Sequence, residues 1–455
     1  MQVKDKTAIV IGLGRSGVAA ARLLLSRGAQ VIANDAAPIE KWSDAARSLE
    51  QAGATLVPGG HHHADFANAD FVVISPGVPG FAALDAFEMT GLGIAGREVI
   101  GEMELASRFV TAPIVLVGGT NGKSTTTALT YEMLKRAGKK TFIGGNFGQP
   151  LAEVVDEPWD VLVLEISSFQ AERVPTLHAR AHALLNITDD HLDRYADFDA
   201  YANAKGNPFH RMTENDVAVI PAGDPIVLKQ AKRGAAIVVT FSATDPGADV
   251  ALVGDRIEDR IHKASYPLSL LKIAGRHNIE NACASIALAS VMGAHPEAIA
   301  DALGSFTGLG HRTILVGEIK GVRFYDDSKG TNVGASVAAL RGLAEAKAVL
   351  IAGGRDKLGS YGPLVDALRD KGRALVVIGE AADRIADAAK GALPIERAGS
   401  MDEAVAKASA LAQAGDAVLL SPACSSFDMF RDYKDRGDAF TRAVQELAQR
   451  PRVCS

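Results

Sequence analysis

Runs of four to six apolar residues recur along the chain, each followed by a glycine or polar turn and then an Ala/Leu-rich stretch at helical spacing that ends in glycine. That rhythm is βα repetition, and it predicts parallel sheets covered by helices. Ile9-Val10-Ile11 reads as the first strand, Val18–Arg27 as a helix stopped by Gly28, and Gln30–Ala33 as a second strand. Ile114–Val117 is the next clear strand, followed by an amphipathic helix over Thr125–Ala137 that Gly138 closes. Further strands are expected at Asp160–Leu164, Ala183–Ile187, Phe324–Asp326, Ala348–Ala352, Ala374–Ile378 and Ala417–Leu420, with a helix from Val333 onward.

The pattern occurs in three blocks with different loop chemistry. The first runs from Thr7 to about Gly101, the second from Pro113 to about Gly308, and the third from near Arg323. The glycine density of Thr307-Gly308-Leu309-Gly310-His311-Arg312 suits a hinge between the last two. The expected fold is α/β with three domains, 1–101, 102–308 and 309–455, each built on a mainly parallel sheet flanked by helices.

A length of 455 residues agrees with three domains, at roughly 150 residues each. With 47% hydrophobic and 22% charged residues, each domain can bury a core and wholesale disorder is excluded. Lys plus Arg is 48 against 54 for Asp plus Glu, a net charge of -6 that argues against nucleic acid or an anionic membrane as partner. Cys283, Cys424 and Cys454 are too widely spaced for a disulfide framework or a metal knuckle and fit a reducing compartment. No apolar run approaches the ~20 residues of a membrane span, and Met1–Lys6 leads into a strand rather than a signal peptide. The expectation is a cytoplasmic protein with small-molecule partners and no membrane insertion.

Chemistry concentrates in loops at the carboxyl ends of strands, where open parallel sheets bind ligands. Gly12-Leu13-Gly14-Arg15-Ser16-Gly17 follows the first strand as GxGxxG, and Asp35 ends the second. Such glycines let a diphosphate approach a helix N-terminus, and an acid at that place commonly meets a ribose. Alone, the loop suggests a nicotinamide-dependent oxidoreductase or merely a tight turn. Gly118-Gly119-Thr120-Asn121-Gly122-Lys123-Ser124 is more demanding: loop amides can wrap phosphates, Lys123 can neutralise them, and the Ser124 hydroxyl can bind Mg²⁺. Strict GxxxxGK[ST] would need glycine at position 117, where valine stands. Glu165 ends the Asp160–Leu164 strand and His191 follows Thr188-Asp189-Asp190, so both are expected beside those phosphates as a magnesium site. In the third block, Ser328-Lys329-Gly330-Thr331-Asn332, Gly353–Lys357 and Ser421–Asp428 supply lysines, hydroxyls and helix starts suited to a carboxylate. His61-His62-His63 lacks supporting acid or cysteine spacing and reads as a solvated loop.

Taken together, Gly119–Ser124, Leu164-Glu165-Ile166-Ser167-Ser168-Phe169-Gln170, Asn186–Arg194, Asp327–Asn332 and Leu420–Asp428 make the chain resemble the Mur ligases along all three blocks. The family loop usually reads TGTNGK[ST], and here Gly118 replaces its first threonine. The resemblance implies Rossmann-like first and third domains around a phosphate-loop ATPase. It also implies an ATP-dependent amide ligase of peptidoglycan precursor synthesis that joins D-glutamate to UDP-N-acetylmuramoyl-L-alanine through an acyl phosphate, and that acts as a monomer.

By the same match, Thr120, Asn121, Gly122, Lys123, Ser124, Thr125, Thr126, Asn278, Arg312 and Asp327 bind ATP, and Arg312 at the hinge closes the third domain over it. Gly14, Arg15, Ser16, Asp35, Ser75, Asn146 and His191 bind the UDP substrate. Lys329, Thr331, Lys357, Ser426 and Tyr433 form the D-glutamate pocket, although the family often has Phe at the place of Tyr433. Ser124, Glu165, His191 and Lys205 hold two Mg²⁺ ions, with Lys205 carbamylated and Lys123, Glu165, His191 and Lys205 catalytic. Without the resemblance, Lys205 reads as a surface lysine. An oxidoreductase leaves the second and third blocks unexplained, and a nucleotide-switched binding protein or transporter ATPase needs no carboxylate pocket in the third.

Overall fold

The computed structural model describes residues 1–61, 68–78, 97–190, 194–273 and 275–449. Five strands of the first block, β1 Thr7–Ile11, β2 Gln30–Asn34, β3 Thr55–Val57, β4 Phe71–Ile74 and β5 Glu98–Gly101, form an all-parallel sheet in the order β3-β2-β1-β4-β5. The order reverses direction beside β1, which places the crevice for a ligand at the loop after that strand. That loop is the GxGxxG segment. The helix after it spans Arg15–Ser26, three residues earlier than its apolar pattern suggests, with Gly14 as N-cap. A Cβ on Gly17 would lie 1.9 Å from the carbonyl oxygen of Gly12, so only glycine lets the first helical turn rest on the loop.

The second sheet comprises β6 Ile114–Gly118, β7 Thr141–Gly145, β8 Val161–Glu165, β9 Ala181–Leu184, β10 Val217–Pro221, β11 Ile237–Ser242, β12 Val250–Val253, β13 Arg256–Asp259 and β14 Ala264–Pro267. Its order is β14-β13-β12-β11-β10-β9-β6-β8-β7. Only the β12–β13 and β13–β14 pairings are antiparallel, the first of them turning at Gly254 with φ +60°. The strand expected over Ala183–Ile187 starts two residues earlier and leaves the sheet after Leu184. Asn186 is the physical reason: its backbone carbonyl accepts from Thr120 N at 2.9 Å, so this stretch pairs with the phosphate loop instead.

The third sheet, β15 Ile314–Ile319, β16 Val322–Asp326, β17 Ala348–Gly353, β18 Gly372–Ile378, β19 Ile395–Arg397 and β20 Ala417–Leu420, runs β15-β16-β20-β17-β18-β19. Its one antiparallel pairing is β15–β16, joined at Lys320 and Gly321, both with positive φ. The architecture is therefore α/β, with three mainly parallel sheets flanked by helices.

Burial shows how the sheets are joined. Val10 and Leu24 of the first block share one apolar cluster with Met103 and Leu105 of the connecting helix Glu102–Ser107 and with Leu116 and Leu162 of the second sheet. The clusters on either face of the third sheet contain only its own residues. Polar contacts at the strand ends tie that sheet to the second.

Candidate functional site

Gly122 sits at φ +86° and caps the helix Lys123–Arg136, which begins two residues before its apolar pattern. A side chain at position 122 would strike Asn281, whose Oδ1 lies 2.2 Å from the place of a Cβ. The loop is held from one side by Asn186: its Oδ1 accepts from Asn121 N at 2.9 Å and its Nδ2 donates to Asn121 O at 3.1 Å. From below, Thr120 Oγ1 contacts Tyr201 Oη at 3.0 Å and accepts from Thr188 N at 3.1 Å. Gly118, where the resembling loops carry threonine, has a local explanation. A Cβ there would approach His182 Cε1 to 3.1 Å, and this fully buried imidazole occupies the space under the loop. Burial pushes the His182 pKa down to about 4, so the ring is neutral.

Three of the four residues expected to be catalytic, Lys123, Glu165 and Lys205, lie beside this loop. Lys123 Nζ donates to Thr120 O at 2.8 Å, and burial lowers its pKa, opposed by the charges of Glu165 and Asp190. Glu165 is buried at the end of β8; Asn146 Nδ2 donates to its Oε1 at 2.6 Å, while Oε2 has no hydrogen-bond partner among the described residues. Lys205 is not a surface residue: it is 5% exposed, on the helix Phe198–Gly206. Its Nζ donates to Gly119 O at 2.7 Å and lies 4.7 Å from the centre of the Tyr201 ring. Burial, aided by the charge of Lys123, holds its pKa well below the ordinary lysine value and favours the neutral amine. Helical periodicity alone could not separate this residue from its exposed neighbours. His191 lies outside the described residues. Among the described residues, no three His, Cys, Asp or Glu side chains gather as a metal-binding group.

The third sheet adds cations to the same edge. Arg312 Nη2 donates to Ser124 Oγ at 3.0 Å, bringing the hinge onto the phosphate loop. Asp327 is 7% exposed; Thr313 N and Ser421 Oγ donate to its two oxygens at 3.1 and 2.6 Å. Burial pushes its pKa up to about 7. His311 and Thr313 adopt positive φ, 61° and 50°, so the backbone reverses sharply on either side of Arg312. Arg312, Asp327, Asn278, Thr125 and Asn121 border a cavity of ≈ 360 Å³ that extends over the ends of β10 and β11. Thr126 Oγ1 lies beneath, 3.4 Å from Asn281 Oδ1, and Asn281 in turn donates to Asn278.

The residues expected to hold D-glutamate do not all converge. Lys329 Nζ stands 3.8 Å from the centre of the Tyr433 ring, and burial lowers its pKa to about 8. Thr331 follows it in the same loop, with its amide bonded to Lys329 O, while Ser426 is buried in the loop after β20. Lys357 instead pairs with Asp190 at 3.1 Å and borders a second cavity of ≈ 410 Å³. Asn332, unassigned by sequence, donates to Asp190 Oδ2 and to Asn121 Oδ1, both at 3.1 Å, while capping the helix Val333–Gly342. Arg436 is another residue that sequence reasoning missed. It is fully buried and donates to Ser328 O at 2.9 Å and Cys424 O at 3.1 Å, fastening two of the third sheet's loops together.

At the first sheet, Gly14, Arg15 and Ser16 line the open start of the helix Arg15–Ser26. Arg15 Nη1 reaches across to Gly148 O at 2.7 Å, in the segment that carries Asn146. Ser75 is buried, its amide bonded to Ile11 O at 2.9 Å. Asp35 accepts from Leu13 N at 2.7 Å and Ala37 N at 2.9 Å, so its carboxylate shapes the glycine loop. His61, expected in a solvated loop, is half-buried with Nδ1 at 2.7 Å from Asn34 Oδ1, because Asn34 Nδ2 also holds that loop by donating to Gly60 O at 3.0 Å. His62 and His63 lie outside the described residues, as does Cys454, while Cys283 and Cys424 are buried free thiols.

An α/β chain with a glycine-rich phosphate loop, a buried carboxylate beside it and a cation-lined third sheet has the layout of an amide-forming nucleotide ligase. Residues 117–289 match the Mur ligase middle domain, 311–424 the Mur ligase glutamate ligase domain, and 6–101 the MurD-like N-terminal domain of Mur ligases. A relative from Geobacter metallireducens named UDP-N-acetylmuramoylalanine--D-glutamate ligase is 43% identical, with 98% of this chain and 99% of that one covered. One of the same name from Desulfosudis oleivorans is 42% identical, with 99% and 98% covered. The crystal structure of MurF ligase from Thermotoga maritima in complex with ADP shares the fold at TM-score 0.61 and 17% identity, covering 98% of this chain and 97% of that one. The chain belongs to the Mur ligase family. No described helix is long and apolar enough to cross a membrane.

Proposed function

We propose that the chain is an ATP-dependent amide ligase that adds D-glutamate to UDP-N-acetylmuramoyl-L-alanine in cytoplasmic peptidoglycan precursor synthesis, working as a monomer. Residues 1–101 would bind the UDP substrate, 102–308 ATP, and 309–455 the amino acid. The observation that carries the reading is the Arg312 to Ser124 contact, which sets the segment leading into the third sheet against the phosphate loop.

The chemistry follows from the charges. A carboxylate is a poor acyl donor until one of its oxygens becomes phosphate. The L-alanine carboxylate oxygen attacks the γ-phosphorus and ADP leaves; the D-glutamate amine then attacks the acyl carbon and phosphate departs. Bringing two anions together in this way needs charge cancellation above all. Lys123 and Arg312 supply it from two sides, and the loop amides that Asn186 holds in place supply more. Lys329, Thr331, Lys357, Ser426 and Tyr433 would take up D-glutamate, which requires Lys357 to exchange Asp190 for a substrate carboxylate. Gly14, Arg15, Ser16 and Ser75 would receive the UDP moiety, with Asp35 fixing their loop.

The reading includes two Mg²⁺ ions, and the residue that supports a cation is Glu165. Glu165 Oε2 is buried without a hydrogen-bond partner among the described residues, an anionic oxygen that a cation would satisfy. Ser124, whose Oγ would exchange Arg312 for an ion, Glu165, His191 and a carbamate on Lys205 would hold them, and the ions would offset phosphate charge. Carbamylation needs a neutral amine, the state that burial favours at Lys205. Mass spectrometry tests the reading: ATP, Mg²⁺, D-glutamate and UDP-N-acetylmuramoyl-L-alanine should give a product heavier than the nucleotide substrate by one glutamyl residue. Unchanged nucleotide with intact ATP would refute it.

A further inference from the structure

The ≈ 360 Å³ cavity has two chemically different ends. Gly122, Thr125 and Arg312 border one, beside Lys123 and therefore the place of phosphates. The other lies over the carboxyl ends of β10 and β11 and carries acceptors: Glu280, Asp224, Ser242 and Thr244. Glu280 is on the helix Arg276–Val291, which also presents Asn278 and Asn281 to the cavity. Its Oε1 accepts from Ala243 N at 2.8 Å, and this anchors the carboxylate against the loop that follows β11. Asp224 is committed differently. Its Oδ1 accepts from Ile226 N and Val227 N at 2.9 and 3.0 Å as the N-cap of the helix Pro225–Ala231.

We propose that Glu280 is a specificity-determining residue for the nucleotide base, its second carboxylate oxygen accepting a hydrogen bond from the 6-amino group of adenine. The inference rests on the ATP-dependent reading and deepens it. A nucleotide whose phosphates lie on Lys123 extends its base toward the Glu280 end, where the ionised carboxylates of Glu280 and Asp224 can only accept. Adenine presents N6–H donors on its Watson–Crick edge, whereas guanine and hypoxanthine carry the O6 acceptor there. Guanine could offer N1–H and N2–H to a carboxylate, but a bidentate grip needs both oxygens, and Oε1 already serves Ala243. A half-buried carboxylate left facing O6 is the kind of mismatch that separates related substrates.

The test compares ATP, ITP and purine riboside triphosphate, which lacks the 6-amino group, as phosphoryl donors for the full-length enzyme. The wild type should prefer ATP by about 10-fold or more in kcat/KM, mainly through KM. Glu280→Gln retains an oxygen for Ala243 N and turns an NH₂ group toward the base. It should raise the KM for ATP, lower that for ITP and leave kcat within about twofold. Glu280→Ala should flatten the preference among all three donors. Wild-type ratios in both Glu280 variants would overturn the proposal, as would loss of discrimination in Asp224→Asn but not in Glu280→Gln. Absence of ATP-dependent ligation in the wild type would instead refute the ligase reading on which it rests.

Discussion

Arg312 and Ser124 are joined by a hydrogen bond of 3.0 Å although 188 residues separate them. One belongs to the reversal that leads into the third sheet, the other to the first turn of the helix after the phosphate loop. A cation brought from a separate core to the hydroxyl of a phosphate loop is placed to meet charge on a transferring phosphoryl group. Arg312→Ala should therefore cost about 10²-fold in kcat with little change in melting temperature. Single-turnover phosphate release is the measurement. Arg312→Lys should recover only part, since lysine lacks the planar fork.

Asn186 shapes the loop without belonging to it. Replacing it by Ala removes both side-chain bonds to Asn121 and leaves two backbone groups half-buried. A cost of about 1–3 kcal/mol in ATP affinity is expected, or roughly 5- to 150-fold. Titration calorimetry with a non-hydrolysable ATP analogue checks this, and circular dichroism should stay native.

How far these residues were legible in the sequence differs by kind. Strands such as Val161–Leu164, fully buried from both faces, announce themselves as unbroken apolar runs. The β11–β14 region does not, because Ile237, Val238 and Val253 face outward and its short strands bury at most two residues in a row. Lys123 and Glu165 were visible through strand-end chemistry. Lys205 was not, since a buried amine and a solvated one look alike in a helix; only the family resemblance pointed to it. Arg436, Asn332 and Asn186 left no local signal, because their roles are hydrogen bonds between segments far apart in sequence. Glu280 is of the same kind, anchored to a backbone amide 37 residues away.

Lys329 sets a pH dependence. Burial lowers its pKa to about 8, so the free enzyme carries this charge below pH 8 and loses it as pH rises through that value. Binding of glutarate, a dicarboxylate with no amine to titrate, should weaken across about pH 7 to 9. Lys329→Arg should flatten that profile, because guanidinium stays charged. A wild-type profile flat to pH 9.5 would exclude Lys329 from the pocket.

Lys205 separates a structural amine from a carbamylated one. Lys205→Ala should lose activity by about 10²-fold or more, and a short carboxylic acid in the buffer should restore part of it by occupying the vacated place. Lys205→Arg places a fixed cation there and cannot be carbamylated; it should be as inactive as the Ala variant and should not be rescued. A fully active Arg variant would show that Lys205 acts as a simple cation.

In the proposed function, the phosphate loop and the third sheet's carboxylate pocket serve one reaction. Phosphate release from ATP and Mg²⁺ should therefore be measured with D-glutamate alone, with UDP-N-acetylmuramoyl-L-alanine alone, and with both. Sustained turnover should appear only with both, and Lys123→Ala should abolish it. Equal turnover without either acceptor, or sustained release with only one, would contradict it.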